Sequence, residues 1–254
     1  MHNLNPLVAA AAIVSSAHSG AGQLEPTTQA FLDASAAKGG EPIYKLAVPQ
    51  ARQVLEDAQS GPVAKLPVDK QVVTFNDVKA GPVSVTIIRP QGITGTLPAL
   101  LYIHGAGWVL GSENTHDRLV RQLATGTPAA VVFVNYSRAP EAKFPVQNEQ
   151  CYAAAKWVVE RKNPLVTPLN ATLDQLKDLP PALVITDEND VLRDEGEAYA
   201  RKLMNAGVDV TATRYLGTVH DFVMLNALAV TPAAKAAVAQ ANEKLHAALY
   251  PAQK

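Results

Sequence analysis

Four consecutive residues, His104-Gly105-Ala106-Gly107, follow the apolar run Pro98 to Ile103, and their small size lets backbone N–H groups turn toward one point. Acyl-transfer chemistry needs such a point, because its tetrahedral intermediates carry negative charge on oxygen. Two other stretches offer proton chemistry. Asp190 lies in DENDVLRDE, just past the apolar run PALVIT, and His220 lies in GTVHDF, just past VDVTATRY. Open α/β sheets place their sites at the carboxyl ends of strands, so these two strand ends would present an acid and an imidazole. The histidines at 2, 18, 116 and 246 have neither metal-ligand spacing nor a carboxylate motif around them and read as structural or surface residues. No metal and no organic cofactor is expected.

The elements that must position these residues can be read from hydrophobic period. QVVTFN and VSVTIIR flank Ala80-Gly81-Pro82 and predict a β-hairpin, while PALLYI and AAVVFVN are continuous apolar runs of the kind buried on both faces of a parallel sheet. Helices are predicted over Pro26–Ala37, Pro49–Ala58, Pro145–Glu160, Glu195–Ala206 and Thr231–Leu249, the fourth closed by Gly207 and the last opened by a Thr-Pro cap pair. Strands alternating with helices predict a doubly wound α/β sheet.

Composition narrows the function further. The chain has 254 residues, 48% of them apolar and 18% charged, with 22 basic residues against 23 acidic ones. A net charge of -1 recruits neither nucleic acid nor an anionic membrane. A lone cysteine, Cys151, excludes a disulfide framework and a thiolate metal cluster. No run approaches the roughly 20 apolar residues needed to span a bilayer. Residues 1–23 form an N-terminal segment in which Leu7 to Val14 is apolar and Ala17-His18-Ser19 resembles a cleavage site, although no Lys or Arg precedes them. That segment reads either as a signal peptide, implying a secreted or periplasmic protein, or as a frayed terminus of a cytoplasmic one. Residues 24–70 would form N-terminal cap helices and 71–254 the α/β domain.

Taken together, HGAGWVLGS, VNYSRAPEAKFP, DLPPALVITDENDVLRDEGEAYA and RYLGTVHDF resemble, in order, the motifs of the hormone-sensitive-lipase-like carboxylesterase branch of the α/β-hydrolase superfamily, from about Leu24 to Ala248. The resemblance implies an α/β-hydrolase fold, a mostly parallel sheet flanked by helices, and a small acyl ester as substrate or ligand. It also implies residue roles. Asp190 would orient the imidazole, His220 would be general base and then general acid, and the N–H groups of Ala106 and Gly107 would form the oxyanion hole, with His104 and Gly105 supporting the loop. Ala106 departs from the family's all-glycine loop, and Asp221 stands where the family usually has glycine, which reads as a minor change.

The family's nucleophile is missing. It sits in G-x-S-x-G, and the serines of this chain, at positions 15, 16, 19, 35, 60, 84, 112 and 137, include none with glycine two residues away on both sides. Family comparison places an excision of about 80 to 90 residues near positions 160–163, taking the nucleophile-elbow strand and the strand after it. Ser112 reads as a turn or cap residue and Cys151 as a buried, inert thiol. Without those strands the sheet must shorten. Either Pro98–Ile103 pairs with Ala182–Thr186, or both keep open edges that invite self-association. The expected protein is an ester hydrolase by descent that is inactive or severely impaired; the alternative is a non-catalytic protein that binds a small ligand.

Overall fold

The computed structural model describes residues 23–37, 39–160, 172–177 and 179–250. The N-terminal segment up to residue 22 and, of the join expected near 160–163, residues 161–163 lie outside the described residues, as do the others from 164 to 171. In order, the elements are α1 (Pro26–Ala37), a 3₁₀ turn (Ile43–Lys45), α2 (Val48–Ala58), β1 (Val68–Asp77), β2 (Gly81–Pro90), β3 (Ala99–Tyr102), α3 (Glu113–Gly126), β4 (Ala130–Val134), α4 (Val146–Glu160) and α5 (Leu173–Leu176). They continue with β5 (Ala182–Asn189), α6 (Arg193–Asn205), β6 (Val210–Val219), a 3₁₀ turn (Asn226–Leu228) and α7 (Pro232–Leu249). The chain divides into two compact units, Leu46–Val166 with Asn242–Lys254, and Met1–Lys45 with Thr167–Ala241.

The first of these holds a four-stranded sheet in the order β1-β2-β4-β3. β1 and β2 form the expected hairpin, with Val73 opposite Val85; β2 pairs antiparallel with β4, and β3 pairs parallel with β4. β4 is buried along its whole length, as its sequence AVVFV requires. Val85, Val132 and Val134 pack with Cys151, Ala154 and Val158 of α4, and Trp157 stacks on Phe75 at 5.1 Å. α3 begins with a capping box: the Ser112 hydroxyl accepts from the Thr115 N–H, and the Thr115 hydroxyl accepts from the Ser112 N–H. Asp117, buried on this helix, is held well below the usual carboxylate range, to about 2. Burial alone would raise it, but Lys65, Lys70 and Arg121 all donate to its carboxylate.

The second unit holds β5 and β6, which pair in parallel from Ala182↔Val210 to Asp187↔Tyr215. An irregularity follows, and Asn189 then pairs with Val219. Three contacts shape this bend: the Glu188 carboxylate accepts from the Gly217 N–H at 2.7 Å, the Asn189 amide donates to the Thr218 carbonyl, and the Arg193 guanidinium donates to the Glu188 carbonyl. Leu203 of α6 packs with Leu176 and Val208, and Arg214 makes a two-pronged ion pair with Glu197. The Thr231 hydroxyl caps α7 by accepting from the Ala234 N–H.

The expected α/β elements are present, and among the described residues two of the four ladders are parallel and two antiparallel. β3 pairs with β4 alone and β5 with β6 alone, so among the described residues each has one unpaired edge. The burial expected for PALLYI is corrected: Ala99 is exposed and Leu100, Leu101 and Tyr102 are half-buried, in contrast to β4. A parallel strand is covered on both sides only when a neighbour continues the sheet, and among the described residues no strand pairs with the second edge of β3. Among the described residues, no helix is long and apolar enough to cross a membrane.

Candidate active site

His104 to Gly107 leave the end of β3 in a tight left-handed course. Ala106, Gly107 and Trp108 have φ of 81°, 62° and 62°. Such angles cost an alanine or a tryptophan about 1 kcal/mol each, so neighbouring contacts must hold the loop in place. Several do. The Ala106 carbonyl accepts from the N–H groups of Val109 and Leu110, and Arg52 of α2 donates to the Val109 and Ala139 carbonyls while gripping Glu141 with both prongs. Among the described residues, the N–H groups of Ala106 and Gly107 donate to no backbone carbonyl.

Beneath the loop lies His104, 5% exposed, stacked on Tyr136 at 4.2 Å and on Phe133 at 5.2 Å. The Tyr136 hydroxyl donates to the His104 carbonyl at 3.0 Å, and the ring's Nδ1 lies 2.8 Å from the Gly105 carbonyl. Burial, together with neighbouring His116, pushes the His104 imidazole down to about 4, so it is a neutral, fixed plate at neutral pH. Gly111, which sequence reasoning passed over, allows this packing: its φ is +81°, and a Cβ there would meet His104 Nδ1 at 2.8 Å.

In the other unit, Asp190 and His220 meet. Asp190 Oδ2 lies 3.0 Å from His220 Nδ1, and Asp190 Oδ1 accepts from the Leu192 N–H at 2.9 Å. The side chains are 10% and 31% exposed. Burial works to raise the Asp190 carboxyl, but the bonds from His220 and Leu192 outweigh it and hold the group below its ordinary value. Asp190 in turn raises His220 to about 9, against the effect of burial and with help from Asp221, so the ring is an imidazolium at neutral pH. Asp221 proves more than a minor change: its Oδ2 lies 3.7 Å from His220 Nε2, the nitrogen opposite Asp190, and its backbone is left-handed at φ 62°.

Sequence reasoning also missed Asp187. It is 8% exposed on β5, and its hydrogen-bonding neighbour is Asp190. Burial, then the charge of Asp190, drive its carboxyl from 3.8 up to about 8, so it holds a proton at neutral pH and donates to Asp190. A carboxyl raised in the folded state contributes stability that is full below about pH 4 and is lost as pH rises through about 8. Asp187→Asn keeps a donor and removes the ionisation. The variant should therefore melt at the same temperature as the parent at pH 4.5 and at a higher one at pH 8.5, measured by scanning calorimetry. An unchanged difference between the two pH values would contradict this protonation state.

The two serines between Gly107 and Asp190 are both engaged. The Ser112 hydroxyl donates to Glu56 at 2.5 Å while capping α3, and the Ser137 hydroxyl accepts from the Gln150 amide at 3.1 Å. Cys151 is buried, and burial pushes its thiol up to about 11, leaving almost no thiolate.

The fold and family have counterparts among known proteins. A family described as having the α/β hydrolase fold matches the chain in two stretches, residues 100–163 and 159–224. An α/β hydrolase of Acanthamoeba polyphaga mimivirus is 32% identical, the match taking in 84% of this chain and 84% of that protein. A carboxylesterase of Mycobacterium tuberculosis is 27% identical over 65% of this chain and 78% of its own. Among solved structures, a thermostable esterase from Pseudomonas putida superimposes with a TM-score of 0.84 and 33% identity, covering 91% of this chain and 99% of that one. An esterase from the archaeon Pyrobaculum calidifontis gives 0.73 and 27%, covering 89% and 99%. With about a third of the aligned residues shared with the viral and Pseudomonas proteins, and the same fold beneath them, the chain belongs to the α/β-hydrolase family.

Proposed function

We propose that this chain carries the frame of a carboxylesterase for short acyl esters and lacks the serine that would make it turn over. In this reading Asp190 orients His220, His220 moves the proton, the N–H groups of Ala106 and Gly107 receive the oxyanion, and His104 and Gly105 support their loop. The observation that carries the reading is the pairing of Asp190 with His220 at 3.0 Å in a chain that contains no G-x-S-x-G. Further support comes from lengths. The match to the viral hydrolase runs over 297 residues yet takes in 84% of a 254-residue chain, about 213 residues, so about 84 aligned positions have no counterpart here. The match to the mycobacterial carboxylesterase, 252 residues over 65% of the chain or about 165, leaves about 87. The two stretches matched by the family meet at residues 159–163, within four residues of the join read from the sequence. A p-nitrophenyl acetate assay tests the proposal: release no faster than with a variant lacking His220 supports it, and multiple turnovers per minute overturn it.

The same excision bears on assembly. Among the described residues β3 and β5 each have one edge that pairs with no strand, and a two-stranded parallel sheet has little stability of its own. Self-association follows as the expected outcome, read by light scattering on a size-exclusion column as a mass above one chain that grows with loading concentration. A single-chain mass at every concentration would contradict it.

A further inference from the structure

Asp187, Asp190 and His220 offer ligand atoms that all lie within 4.8 Å of one another, and among the described residues they are the one group of acids, thiols and imidazoles that does so. Three points no farther apart than that fit on a sphere of about 2.8 Å radius or less, so an inward shift of up to about 0.6–0.8 Å per ligand brings them to the roughly 2.0–2.2 Å of zinc bonded to carboxylate oxygen and imidazole nitrogen. Asp187 supplies a second, separate observation. More than nine-tenths buried, it shares its hydrogen bond with another acid, Asp190, and has the His220 ring as the charged group opposing its proton. Buried carboxyls are ordinarily paired with a cation or coordinate a metal. Asp221 adds another carboxylate 3.7 Å from the ring on its far side.

We propose that Asp187, Asp190 and His220 bind a divalent first-row transition cation, zinc above all. One imidazole nitrogen with two carboxylate oxygens suits zinc and manganese better than calcium or magnesium, which favour all-oxygen sets. Sequence spacing does not reveal the site, because two ligands stand three residues apart at the end of β5 and the third follows β6, thirty residues on. The cation would take the place of protons now on the cluster and would replace the hydrogen bond between Asp190 and His220. Metal occupancy and proton relay through that bond therefore exclude each other. The site stands whether or not the chain ever hydrolysed an ester.

The test is a titration of the metal-free full chain with zinc chloride against a chromophoric chelator at pH 7.5, with manganese chloride in parallel. The expected result is one zinc per chain, a binding constant weakened about a hundredfold by Asp187→Asn, and no change with His246→Gln. Thermal melts of each variant separate a lost ligand from a lost fold. X-ray absorption at the zinc edge, with a first shell of oxygen and a single imidazole nitrogen, is the second readout. Zinc bound at less than one per chain, or equally tightly by Asp187→Asn, would overturn the proposal.

Discussion

Grafting the segment between the corresponding positions of the Pseudomonas esterase into this chain, between Glu160 and Lys162, is expected to raise p-nitrophenyl acetate hydrolysis by up to about 10⁶-fold. The size of the effect follows from how a serine hydrolase divides its work. On the proposed reading the nucleophile is absent, and binding and the oxyanion donors alone leave about 10³- to 10⁴-fold over water, which an ordinary assay does not resolve from background. The graft supplies the serine, one further oxyanion donor and the strands that would continue the sheet from β3 and β5. Two groups should need no change. The loop at Ala106 and Gly107 is held by Arg52 and His104, and the imidazole is already bonded to Asp190. Serine replaced by alanine within the graft should return the rate to that of the parent. A graft that folds, by melting and by a one-chain mass, yet gains less than tenfold would show that the frame has lost more than its nucleophile.

In the grafted chain, Asp190→Asn should lower kcat by about 10⁴-fold with KM little changed. Asp190 accepts from Nδ1 and thereby fixes Nε2 as the nitrogen that exchanges a proton with a serine; an amide can present a donor instead and stabilise the wrong tautomer. The pH profile should move as well. With His220 held near 9 by Asp190 and Asp221, the neutral base is scarce at pH 7, and the rate of the grafted enzyme should climb toward pH 9. Asp221→Gly removes the carboxylate 3.7 Å from Nε2 and should carry that climb to lower pH. A drop below tenfold for Asp190→Asn, or a profile flat between pH 7 and 9, would contradict these roles.

The chemistry-bearing stretches were legible in the sequence because each sits beside strong local punctuation. His104 to Gly107 follow an apolar run, Asp190 and His220 follow strand ends, and the capping roles of Ser112 and Thr231 are local events. The hairpin of β1 and β2 was readable for the same reason. Less visible was whatever depends on distant partners. No local signal singles out Asp187, and only burial beside Asp190 makes it a protonated acid. Asp221 was discounted as a substitution for glycine, since its distance to Nε2 depends on how the loop after β6 turns. The loop from His104 to Gly107 depends on Gly111, four residues on, which leaves room for the His104 ring, and on Arg52, more than fifty residues away, which bonds the Val109 carbonyl. PALLYI carries the composition of a fully covered strand, yet β3 is half-exposed, and among the described residues no strand pairs with its second edge.

The central claim, a hydrolase frame without a nucleophile, is tested most directly by treating the intact chain with a fluorophosphonate probe and measuring its mass. Such probes phosphonylate a serine activated by an imidazole and leave hydrogen-bonded capping serines untouched. The expected spectrum shows the unmodified chain alone, with Ser112 bonded to Glu56 and Ser137 to Gln150. A stoichiometric adduct on any serine, lost in His220→Ala, would contradict the claim and identify a working nucleophile.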